Sequence, residues 1–156
     1  GRDHAYAFVA DPRTPMSSCA EEATAPAAPY DAYRASLDAG RLTFQRCRAC
    51  GDAWLPPRED CPHCWSPDWD WEEASGRATV VSWVVYHTAF DKRFADRLPY
   101  NVAVVELDEG PRMITNIVEM PADEDVIGRK AVLAFERDQD RLLPRYRLDA
   151  GGSRED

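Results

Sequence analysis

The stretch RCRACGDAWLPPREDCPHCW, residues 46–65, decides how this chain is read. Its four cysteines, Cys47, Cys50, Cys61 and Cys64, follow the pattern C-x2-C-x10-C-x2-C. Two residues between cysteines let both thiolates of a knuckle face one ion, and two such knuckles complete a tetrahedral four-sulfur shell. Soft thiolates in that geometry hold zinc or iron. A full shell leaves no position for water or substrate, so the expected role is structural, with Zn2+ as the cofactor. Gly51 follows the first knuckle, where amides must turn toward sulfur. His63, between Cys61 and Cys64, reads as a solvent-facing knuckle residue and not as a ligand. Pro56, Pro57, Pro62 and Pro67 keep the segment out of regular helix.

On either side of the cysteines, RLTFQR (41–46) and WDWEEA (69–74) alternate apolar and polar residues, as half-buried strands do. Residues 41–75 therefore form a zinc ribbon. Before it, YDAYRASLDAG (30–40) reads as a short helix with Tyr30, Tyr33 and Leu37 on one stripe and Gly40 just past its end. That stripe packs either on the body of the protein or on a partner; one turn does not decide which.

From residue 76 onward the text is strand and turn. RATVVSWVVYH (77–87), YNVAVVEL (100–107), PRMITNIVEM (111–120), RKAVLAFER (129–137) and LLPRYRL (142–148) read as five strands, with a tight turn at Asp108, Glu109 and Gly110. TAFDKRFADRLP (88–99) is a short helix or ordered loop. PADEDVIG (121–128) is a loop. Five strands in this length suit a small closed barrel, which leaves no open edges, and the OB-fold is the economical choice over a small β-sandwich. The fold class is mainly β: an N-terminal helix, a ribbon, and a five-stranded OB-fold barrel over 76–148. Residues 149–156 form a tail.

Residues 1–29 are rich in Ala, Pro, Ser and Thr and support no packed core, so a flexible or linker segment is expected there. Met16 offers a native start, the residues before it then coming from cloning or from a longer parent chain. The fifth cysteine, Cys19, lies in this segment.

The 156 residues carry 28 acidic against 19 basic side chains, a formal net charge of -9. A nucleic-acid binder needs a basic surface. The ribbon, from 41 to 72, has four basic and six acidic side chains, and a zinc tetrathiolate would make it more acidic still. The barrel, from 77 to 148, is nearly neutral, with eleven basic and twelve acidic groups. No apolar run reaches the roughly 18–20 residues of a membrane span. No signal-peptide pattern is visible, and clustered cysteines suit a reducing compartment, so a cytoplasmic location is expected.

The barrel contains no cysteine, one histidine (His87), and no serine in a nucleophile-elbow setting. No catalytic residue is assigned. A ligand or partner rim is expected at Tyr86, His87, Phe90, Lys92, Arg93, Arg97 and Tyr100. The connection 88–99 is the longest in the barrel, and it mixes apolar groups with three cations that suit phosphates. The same cations also read as one solvated face paired with Asp91 and Asp96. Trp54, Leu55, Pro56, Pro57 and the group Trp65, Trp69 and Trp71 offer rigid surface for an interface, or else form the seam between ribbon and barrel.

The order of GRLTFQRCRACG (40–51), LPPREDCPHC (55–64), DWDWEEASGRATVVSW (68–83), PYNVAVVELDEGPRMITNIV (99–118), IGRKAVLAFE (127–136) and LLPRYR (142–147) resembles the DUF35 family over about residues 30–148. That family joins a rubredoxin-like zinc ribbon to an OB-fold. The resemblance implies association with thiolase-superfamily enzymes, with acyl-CoA at the shared interface. The partner chemistry it implies is condensation, acyl transfer, thiolysis, or retro-aldol cleavage of the kind used in steroid side-chain breakdown, where such a unit can belong to a larger chain with a hot-dog hydratase domain. The expected function is a non-catalytic accessory subunit or domain that helps a partner bind or channel acyl-CoA, with no role for nucleic acid or membrane. The alternatives are a stand-alone nucleic-acid-binding ribbon and barrel, or a self-sufficient acyl-CoA enzyme.

Overall fold

The computed structural model describes residues 28–151 apart from Phe90 and Ala122. The expectations for the first 27 residues, Cys19 among them, for Phe90 and for the end of the tail lie outside the described residues.

Helix α1 spans Pro29–Asp38, with Pro29 in the first turn, where its missing N–H costs nothing. Leu37 is fully buried and Tyr33 packs against the barrel core, while Tyr30 stays exposed. The stripe therefore packs on the body of the protein, and α1 lies against β1 (Thr43–Cys47) and β9 (Arg141–Leu148).

The ribbon is a three-stranded antiparallel sheet in the order β2-β1-β3, with β2 at Ala53–Trp54 and β3 at Trp69–Glu73. The sequence pattern missed β2, which is two residues long. It also read β1 as half-buried, whereas Thr43, Phe44, Gln45 and Cys47 are all buried. The reason is position: β1 is the central strand, so its polar residues are enclosed as well and must be satisfied internally. Gln45 does this with its own amide, whose Oε1 accepts from the Trp54 indole at 2.9 Å and from the Arg58 amide at 2.7 Å. Its Nε2 donates to the Arg58 carbonyl at 2.7 Å.

The second sheet has six strands in the order β6-β5-β4-β8-β9-β7. These are β4 (Arg77–Tyr86), β5 (Tyr100–Leu107), β6 (Arg112–Thr115), β7 (Ile117–Val118), β8 (Lys130–Asp138) and β9. A bulge interrupts the pairing of β4 with β5 between Val80 and Ser82. The two end strands of this order, β6 and β7, are neighbours in the chain with Asn116 between them. The expected return strand over 111–120 is thus broken. Asn101 causes the break: its Nδ2 donates to Ile117 O and its Oδ1 accepts from Ile117 N, both at 2.7 Å, and Asn116 Nδ2 returns a bond to Asn101 O. Beyond the break, β7 leaves β5 and pairs in parallel with β9. Among the described residues no strand pairing joins β6 to β7, so the sheet has six strands and is not closed, where five strands and a closed barrel were expected; its strands pack around one core that includes Val80, Val105, Leu107, Ile117, Val126, Ala131 and Tyr146.

Two features join ribbon to barrel. Gly76 has φ 87°, and a Cβ there would stand 3.3 Å from Leu133 Cβ, so a glycine lets β8 approach the joint. Glu109, in the turn after β5, accepts a hydrogen bond from the Ser75 amide at 2.6 Å.

Candidate metal centre and rim

The zinc knuckles are built by backbone. After β1, the Cys50 amide points at Cys47 Sγ at 3.4 Å; in the second knuckle the amides of His63 and Cys64 point at Cys61 Sγ at 3.4 and 3.5 Å. Each knuckle closes on a left-handed residue, Gly51 at φ 78° and Trp65 at φ 65°. Their amides make equivalent bonds, Gly51 to Cys47 O at 3.0 Å and Trp65 to Cys61 O at 2.9 Å.

The four Sγ atoms lie within 4.8 Å of one another, with Cys47 to Cys64 at 3.5 Å and Cys50 to Cys61 at 3.6 Å. A disulfide needs about 2.05 Å. A tetrahedron with Zn–S of about 2.3 Å has sulfur–sulfur edges of about 3.8 Å, so the spacing fits a bound ion and not a bridge. The acid–base balance agrees. The Cys50 amide, ahead of other bonds, lowers the Cys47 thiol to about 7. The Asp52 amide favours the Cys50 thiolate, yet burial and the neighbouring thiols push that thiol up to about 12. Four crowded thiols ionise together only around a cation, which is the task of a tetrathiolate zinc site. His63 is exposed and takes no part in the cluster. Cys47 and Cys61 are buried and Cys50 and Cys64 exposed, so the site sits at one rim of the ribbon.

The expected rim is only partly assembled. Tyr86 and Tyr100 face each other across β4 and β5 and stack, with ring centroids 5.2 Å apart. His87 and Lys92 are exposed. The 3-10 turn Lys92–Arg97 is capped by Asp91, whose carboxylate accepts from the Arg93 amide at 2.9 Å and binds its guanidinium at 2.6 Å. Arg97 is held by Asp138 at 3.1 Å. Two of the three cations thus already have carboxylates.

Arg97 and Tyr100 also line a cavity of about 550 Å³, together with Asn101, Asn116, Glu136 and Arg145. Arg145 was not singled out from sequence. Burial disfavours its charge, with Glu136 opposing, and its Nε is 4.0 Å from Glu136 Oε2. Its place in LLPRYRL gave no signal, because β9 meets the 88–99 connection only in the folded chain.

A four-thiol ribbon carried on a six-stranded sheet of this connectivity defines a zinc ribbon joined to an OB-fold. Residues 34–70 match the ChsH2 rubredoxin-like zinc ribbon domain, and residues 71–136 match the ChsH2 C-terminal OB-fold domain. The chain is 37% identical over 98 residues to a DUF35 domain-containing scaffold protein of Methanothermobacter thermautotrophicus, covering 62% of this chain and 72% of that one. It is 44% identical over 108 residues to a probable enoyl-CoA hydratase alpha subunit of Thermomonospora curvata, covering 69% of this chain and 33% of that protein. It therefore spans a third of the latter's length. Among solved structures, the Ltp2-ChsH2(DUF35) aldolase superposes with a TM-score of 0.68 at 39% identity, over 77% of this chain and 94% of that one. The chain belongs to the DUF35 family.

Among the described residues no helix is long and apolar enough to cross a membrane.

Proposed function

We propose that this chain is a non-catalytic accessory subunit, or an accessory domain of a longer cytoplasmic chain, that binds a thiolase-superfamily enzyme. In that complex it helps the enzyme hold an acyl-CoA for carbon–carbon bond cleavage of the retro-aldol type. The observation that carries this is the likeness to the Ltp2-ChsH2(DUF35) aldolase, which extends over 94% of the matched chain at 39% identity. The hydratase subunit of which this chain spans a third supports a place beside, or fused to, a hydratase domain.

The metal supplies no reactive position, since Cys47, Cys50, Cys61 and Cys64 fill a tetrahedral shell; when bound, it fixes the ribbon. The acyl-CoA contribution falls to the barrel rim. Tyr86 and Tyr100 offer a stacked aromatic surface, and the exposed Lys92 is the rim cation left to meet phosphates, because Arg93 and Arg97 hold carboxylates and Arg145 faces Glu136 at 4.0 Å. Co-expression with a thiolase-superfamily partner tests this reading. The pair is expected to cleave a side-chain acyl-CoA, while the chain alone shows no turnover. Turnover by the isolated chain, or a partner whose activity and solubility are indifferent to it, would refute the accessory role.

A further inference from the structure

The fold uses four of the five tryptophans and leaves one aside. Trp54 is buried and its indole donates to Gln45 Oε1 at 2.9 Å. Trp69 packs in the ribbon cluster and donates to Glu59 O at 2.7 Å. Trp71 meets Trp69 edge to face at 5.3 Å, and Trp83 packs against the barrel core. Trp65 is 75% exposed, and among the described residues its ring has no aromatic, cation–π or hydrogen-bonding partner.

An exposed apolar residue alone means little. Here a second observation sets it apart. Trp65 occupies the left-handed position that closes the second knuckle, at φ 65°, where the first knuckle has Gly51 at 78°. The two amides make the same bond to the first cysteine of their knuckle, so the local geometry asks for glycine. A bulky side chain brings its Cβ against the backbone in that conformation. The fold thus bears a cost for a ring that is mostly exposed and, among the described residues, has no aromatic, cation–π or hydrogen-bonding partner. Strained positions persist mainly where function needs them. Tryptophan is the side chain most enriched among residues that dominate binding energy. The backbone that carries the ring is held by two neighbouring sulfur-directed amides and by the Trp65 amide bond to Cys61 O, as a platform should be.

Charge says what the ring fits. His63, Glu59, Asp60, Asp68 and Asp70 are exposed around it in sequence, and of the acids Asp68 and Asp70 share the single guanidinium of Arg48. The ribbon's six acids against four bases become more negative once zinc is held by four thiolates. Such a field repels nucleic acid and a second copy of this chain, whose net charge is -9, and attracts a basic rim. We propose that Trp65 is the anchor by which the second zinc knuckle docks into an apolar pocket, ringed by lysine and arginine, on the thiolase-superfamily partner. This rests on the function proposed above and names the contact that makes it.

Calorimetric titration of the full, zinc-loaded chain with the Ltp2 subunit of the solved aldolase tests it, with that complex's own ChsH2 as the positive control. The wild-type chain binds, more weakly as salt rises. Trp65→Gly weakens binding at least about 30-fold, while zinc content holds and the melting temperature stays level or rises. Trp65→Phe keeps most of the affinity. Binding by Trp65→Gly within threefold of wild type overturns the anchor and leaves the partner reading standing. Loss of zinc or a lower melting temperature in Trp65→Gly makes the ring a structural element and overturns it too. A wild-type chain that fails to bind Ltp2 overturns both. Sedimentation showing a dimer that Trp65→Gly abolishes assigns the ring to a second copy and refutes the partner pocket.

Discussion

The ribbon and the barrel reach order by different physics. The barrel buries a contiguous apolar set from strands β4, β5, β7, β8 and β9, closed by Leu37 of α1. The ribbon's buried cluster is Cys47, Trp54 and Cys61 with Trp69 against it, so two of its three buried members are metal ligands. The two halves are of one chain, yet one is held by area removed from water and the other by a few directed bonds. The contrast implies that they fail separately and under different insults.

The largest expected effect is loss of the metal. A structural zinc contributes on the order of 10–16 kcal/mol in isolated fingers, far more than this ribbon's apolar cluster can replace. Cys61→Ser, or chelation, should abolish amide protection in β1, β2 and β3 and leave β4, β5 and β8 protected in hydrogen exchange. Because the ligands must be deprotonated, acidification acts in the same direction: the site is filled at neutral pH and empties as the thiolates take up protons. Simultaneous loss of both sheets would break the comparison.

A core truncation should do the reverse. Leu107→Ala removes a fully buried side chain from the barrel and is expected to cost about 2–5 kcal/mol in the barrel's unfolding transition, with one zinc still bound per chain. Third in size is Gln45→Ala. It strands the Trp54 indole and both Arg58 backbone groups, and about 1–3 kcal/mol should be lost from the ribbon alone, read from its exchange rates in the zinc form. Smallest is Arg48→Ala. Its bonds to Asp68 and Asp70 are exposed, and exposed pairs contribute little, so the ribbon's melting should not move measurably. A large loss there would show that surface charge shares the metal's work.

The site and the fold differed in legibility for reasons of distance along the chain. The thiol cluster was fully visible because each knuckle is local and only one spacer separates the two. Most strands were visible because period-two patterning is local too. The rim was legible only in composition. Whether its cations were free depended on Arg97 meeting Asp138, 41 residues away, and on Arg145 arriving from β9.

By itself, then, the sequence determined an acidic four-thiol ribbon followed by a small, nearly neutral β-domain, because spacing, periodicity and charge are properties of neighbours along the chain. Tertiary structure alone decided the rest. It set the break at Asn116 that turns one strand toward β9, the burial that makes Gln45 a hub, and the division of the tryptophans into four that pack and one that projects. Each of these depends on which distant residues share a face, and hydrogen bonding and burial are settled only when those faces meet.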